Sequence, residues 1–128
     1  MILGIGTDIV RIARMEASLA RHGERFAERL LAPEEMAEFH GAGKPAAFLA
    51  KRFAAKEAVV KAMGTGFRDG LSLRHIAVAH EPKGRPYLVF TGRAAELLAE
   101  LGAGECHLSL ADEHDTAIAF VTLLKRTP

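Results

Sequence analysis

Asp8 and Glu57 are the residues of this chain whose settings most call for chemistry. Glu57 lies in RFAAKEAVVKAMG, residues 52–64, where a helix wound at about 100° per residue aligns Ala46, Leu49, Ala50, Phe53 and Val60 with Glu57 near the middle of the stripe. Removing an ionised carboxylate from water without a partner costs at least several kcal/mol, comparable to the ~5–15 kcal/mol that stabilises a domain. Such a group is protonated, paired or bound to a metal. Lys61, one turn on, and Lys56, adjacent, make a plain salt bridge the competing reading. Asp8 sits in ILGIGTDIV, residues 2–10, which alternates as a strand: Leu3, Ile5, Thr7 and Ile9 on one face, Ile2, Gly4, Gly6, Asp8 and Val10 on the other. The two glycines beside Asp8 suit close approach by a ligand or by a packed helix, in which case Asp8 merely caps the strand end.

A core that brought these acids together would offer oxygen ligands of the kind Mg²⁺ takes, the remaining positions going to water and a substrate phosphate. Arg52, Lys56 and Lys61, with Lys83 and Arg85, could answer a polyphosphate, although each also suits a solvated face or a salt bridge. Other constellations fail. GIGTD has Ile9 where a dinucleotide fingerprint needs its third glycine, and GTGFRDG lacks the Gly-Lys-Ser/Thr of a phosphate loop. Cys106, His107 and His114 match no zinc spacing, and His107, Ser109 and Asp112 form no ordered relay.

The elements that must position these residues follow from periodicity and breakers. Residues 11–31 read as one helix interrupted near Gly23 or as two short ones; APEEMAEFH is a helix with Pro33 in its first turn; Pro45 opens a long helix that GTG stops after Met63. Strands are expected at LSLRHIAVAH and PYLVF, a small helix at 92–101, and two further strands at CHLSLAD and TAIAFVTLL around EHD. The joins between late strands are too short for parallel crossovers. An α+β fold is therefore expected, an antiparallel sheet packed against the long central helix and the shorter N-terminal ones. With 128 residues, 49% of them hydrophobic, one domain over 1–128 is expected. A net charge of +1 argues against general affinity for nucleic acid or anionic membrane. A single cysteine, and no signal-like or spanning segment, point to the cytoplasm.

GIGTDIV (4–10), FAERLL (26–31), FLAKRFAAKEAVVKAMGTG (48–66), GRPYL (84–88) and HLSLADE (107–113) together resemble the holo-acyl-carrier-protein synthases, small bacterial 4′-phosphopantetheinyl transferases. The resemblance implies transfer of phosphopantetheine from coenzyme A to a serine hydroxyl of apo acyl carrier protein, with release of adenosine 3′,5′-bisphosphate, in support of fatty acid biosynthesis. It implies Mg²⁺ held by Asp8 and Glu57, Lys61 stabilising phosphoryl charge, and the serine proton taken by Glu57 or by a metal-bound water that Glu57 orients. Coenzyme A contacts are implied at Arg52, Lys61, Gly64, Ser72, Gly84, Arg85, Pro86 and His107. Arg14, Arg21 and Arg25, spaced i, i+7 and i+11, would face the acidic carrier. A homotrimer with sites between subunits is also implied, with Ile118, Phe120 and Val121 as interface candidates.

Two other functions use the same residues. A non-enzymatic module could bind acidic proteins through the arginines, with Glu57 and Lys61 as an internal ion pair. A Mg²⁺-dependent pyrophosphate hydrolase would consume coenzyme A without any carrier protein.

Overall fold

Pro45, with φ preset and no amide to satisfy, starts the longest helix, α4 (Pro45–Met63), and Gly64 ends it in the left-handed region at φ 76°. The computed structural model describes residues 1–128. α4 lies across the inner face of a three-stranded antiparallel sheet, ordered β1 (Ile2–Arg11), β5 (Thr116–Lys125), β4 (Ala103–Asp112). α1 (Ile12–His22), α2 (Glu24–Leu30) and α3 (Met36–His40) pack around it, and α5 (Gly92–Leu101) leads into β4.

The expected antiparallel α+β architecture is present, with the strands divided between two sheets. β2 (Ile76–His80) and β3 (Pro86–Phe90) form a separate hairpin, because α5 carries the chain away before β4 begins. The first long helical stretch is two helices, broken at Gly23, whose φ of 61° and ψ of −147° are not helical.

Alternation decides which strand residues reach the core. Ala117, Ala119, Val121 and Leu123 are fully buried against α4, while Ile118 and Phe120 face outward beside Ile5 and Ile9 of β1. Val121 is thus a core residue, unlike the other two interface candidates. Gly4 and Gly6 let β1 approach α4 closely: a Cβ on Gly6 would lie 1.8 Å from the carbonyl oxygen of Ala58, and one on Gly4 1.9 Å from that of Ala62. The close-packing reading of these glycines is the one observed, and Asp8, two residues on, follows them toward the same helix.

α4 is buried on nearly all sides rather than along one stripe. Leu49, Ala50 and Val60 are buried as expected, but so are Ala54, Ala55, Ala58, Val59 and Ala62, and so are Arg52 and Lys56. Ala46, Phe53 and Glu57 are only half-buried. Glu57 therefore stands at the edge of the helix's covered surface, not at its centre.

Candidate active site

β1 and the second half of α4 bring the two acids together. Asp8 leaves the inner face of β1 and accepts a hydrogen bond from Lys61 Nζ at 2.9 Å, and the same ammonium donates to the carbonyl of Thr7 at 3.0 Å. Asp8 is mostly covered and Lys61 largely open to solvent. Glu57, one turn before Lys61, has its carboxyl pushed above the ordinary glutamate range, first by partial burial and then by the Asp8 charge, against the pull of Lys61 and Arg14.

The cations expected to offset Glu57 are engaged elsewhere. Lys61 pairs with Asp8, and Lys56 turns into the core to meet Glu35 at 2.6 Å. Burial lowers the Lys56 pKa, and Glu35 opposes that shift.

Arg14 on α1 reaches this edge, its guanidinium 5.2 Å from the centre of the Phe53 ring. Arg14 and Arg21 line one shallow recess on α1, while Arg25 lies across the Gly23 break on α2 and is also exposed. Gly64 caps α4 just beyond Lys61. Ser72 opens the 3₁₀ turn Leu73–His75, its hydroxyl accepting the amide of Arg74 at 3.1 Å.

A second group of candidates gathers at the β2–β3 hairpin. Arg85, Pro86 and His107 line a groove of about 490 Å³ between the hairpin and β4. Gly84 and Pro86 share a smaller pocket of about 210 Å³ with Lys51 and Arg52 of α4. Neither cavity is lined by Asp8, Glu57 or Lys61. For Arg52 the salt-bridge alternative is the one observed: Nη1 donates to Glu35 at 3.1 Å and to the Val78 carbonyl at 2.7 Å, Nη2 donates to Glu38 at 3.0 Å, and the group stacks on Phe48. Arg85 is exposed on the turn.

Glu35 is the residue that sequence reasoning missed. PEE reads as a solvated first turn, but its second glutamate is fully buried. The available signal was Arg52 and Lys56 at i and i+4, two cations on one face of an otherwise alanine-rich helix.

Two carboxylates with an open edge fit a hard divalent cation such as Mg²⁺, which one or two protein carboxylates commonly hold. No cluster of three or more His, Cys, Asp or Glu competes elsewhere in the chain.

The family profile of the 4′-phosphopantetheinyl transferase superfamily matches residues 4–121. The holo-acyl-carrier-protein synthase of Halorhodospira halophila is 57% identical over 124 residues, covering 97% of this chain and 98% of that protein. The crystal structure of the Neisseria meningitidis synthase superposes with a TM-score of 0.93 at 47% identity, covering 98% of this chain and 100% of that one. The Helicobacter pylori synthase, solved in complex with coenzyme A, gives 0.81 at 31% identity, covering 93% and 98%. The chain belongs to the 4′-phosphopantetheinyl transferase superfamily, among the holo-acyl-carrier-protein synthases.

Proposed function

We propose that this chain transfers the 4′-phosphopantetheine arm of coenzyme A to a serine hydroxyl of an apo acyl carrier protein and releases adenosine 3′,5′-bisphosphate. The observation that carries the reading is the meeting of Asp8, Glu57 and Lys61 at one open edge of α4, in a chain of this family.

Asp8 and Glu57 would hold Mg²⁺, which when bound neutralises charge on the coenzyme A diphosphate. The serine oxygen forms a bond to the phosphorus that bears the pantetheine arm, the bond from that phosphorus to the bridging oxygen breaks, and the bisphosphate leaves with the electron pair. Glu57 takes the serine proton. Lys61, held at the site by Asp8 and the Thr7 carbonyl, offsets charge on the transferring phosphoryl oxygens. Such a transfer needs placement and charge neutralisation, without a covalent enzyme intermediate.

Gly84, Arg85, Pro86 and His107 take the nucleotide end of coenzyme A, with Arg52 as a fixed wall of the adjoining pocket. Gly64, at the C-terminal end of α4, and Ser72, on the turn before β2, contact coenzyme A. A homotrimer fits two observations: the acid pair lines neither of the hairpin cavities of its own chain, and Ile5, Ile9, Ile118 and Phe120 leave an apolar patch on the outer sheet face. A neighbouring copy seated there would cover the patch and bring the two groups to one site. Arg14, Arg21 and Arg25 receive the acidic carrier protein. No helix is long and apolar enough to cross a membrane, and the reaction is assigned to the cytoplasm, where carrier and coenzyme A meet.

The test is to incubate the chain with Mg²⁺, coenzyme A and apo acyl carrier protein and weigh the carrier. A mass gain of one phosphopantetheine group supports the transferase; coenzyme A hydrolysis in the absence of carrier would replace it with the hydrolase reading.

A further inference from the structure

Glu35 is fully buried, has no part in the chemistry above, and uses both of its oxygens. Oε1 accepts the Lys56 ammonium at 2.6 Å and the Ala32 amide at 2.8 Å; Oε2 accepts Arg52 Nη1 and the Val78 amide, each at 3.1 Å. Lys56 donates further to the carbonyls of Leu30 at 2.7 Å and Leu73 at 3.2 Å. One carboxylate and two cations thereby tie together the end of α2, the turn at residues 33–35, α4, the turn before β2, and β2 itself.

A buried ionic cluster is a weak source of stability, because desolvation cancels much of the attraction. Its geometry is stiff, since each donor and acceptor here has a partner and any shift leaves one unpaired in low dielectric. The groups it ties are informative. Lys56 precedes Glu57, Leu73 follows Ser72, Val78 sits in the strand that leads to the Gly84–Arg85 turn, and Arg52 walls the pocket beside that turn. The carrier-facing arginines of α1 lie outside the cluster.

We propose that Glu35 is a positioning residue for coenzyme A, fixing within each chain the spacing between the two half-sites that neighbouring copies share: α4, with Glu57 and Lys61, and the β2–β3 hairpin, with Gly84, Arg85 and Pro86. The inference rests on the reading of those residues as coenzyme A contacts.

The test uses Glu35→Gln and the double variant Glu35→Gln/Lys56→Met. The first strands the buried Lys56, leaves Arg52 with Glu38 as its one acid, and lowers Tm; the second removes the stranded cation with a chain of similar length and recovers most of the loss. In the folded double variant the KM for coenzyme A is expected to rise roughly ten-fold while that for carrier protein stays within about two-fold. Restored Tm with both KM values at the wild-type level, or an equal rise in both, overturns the proposal. If neither variant folds, Lys56→Met alone opens the limb to Leu73 and leaves Glu35 on Arg52 and Val78; it is expected to raise the coenzyme A KM by a smaller factor, and an unchanged value overturns the proposal equally. Wild-type enzyme assayed in parallel separates the two levels, because failure of transfer there strikes the proposed activity, whereas normal transfer with unmoved variant KM values strikes Glu35 alone.

Discussion

Lys61 holds Asp8 rather than Glu57, with Nζ 2.9 Å from Asp8 Oδ1, although Glu57 lies one turn away on the same helix. The lysine thus offsets the acid on the strand. Without a bound cation, Glu57 keeps a carboxyl whose charged form its surroundings disfavour.

Glu57→Gln tests that assignment through rate and stability together. Transfer is expected to fall by at least about a hundred-fold. The folded-state pKa of Glu57 is raised, so its protonated form contributes stability that is present below the ordinary glutamate pKa and lost as the pH rises through the raised value. The glutamine variant, measured without divalent ions, should therefore have a slightly higher Tm than wild type at neutral pH, and the gain should vanish in acid. A variant with normal turnover would remove Glu57 from the chemistry.

Lys61→Ala separates charge stabilisation from ion binding. Turnover should drop roughly a hundred-fold, as when a group facing developing charge is removed. Calorimetric titration with Mg²⁺ should show affinity no weaker than wild type, since Asp8 is released from its ammonium partner. An unchanged rate would make the lysine a structural counterion only.

Arg14→Glu should raise the KM for carrier protein roughly ten-fold and leave that for coenzyme A nearly unchanged, with the difference shrinking as salt is added. Arg14 also helps keep Glu57 ionised, so without divalent ions the titration of Glu57 should move to higher pH in this variant. Equal changes in both KM values would mean that α1 is not the docking face.

Gly6→Ala probes the approach of β1 to α4. The added methyl has a backbone carbonyl 1.8 Å away, which no side-chain rotation relieves, so urea unfolding should show a loss of roughly 3 kcal/mol or more. A loss below about 1 kcal/mol would mean that the strand can move off the helix without penalty.

The ends of α4 were readable because Pro45 and Gly64 act through local backbone rules, and β3 and α5 lie where their breakers put them. The pairing of Asp8 with the second half of α4 was legible from the two glycines on its strand face. The Glu35 cluster was not, since its partners come from five segments and each looks solvated in its own window. The same local view placed Glu57 mid-stripe: periodicity assumes one covered face, and this helix is covered by the sheet on one side and by α1, α2 and α3 on others.

The register of β1 against β5 has a consequence for synthesis. Thr7, on the strand that bears Asp8, is made 112 residues before Ala119, its hydrogen-bonding partner on residues 116–125. Closing so long a loop is slow, and until it closes β1 has both edges unmated and can pair with other chains. Nascent or C-terminally nicked molecules are thus the vulnerable ones, prone to clump before the acid site exists.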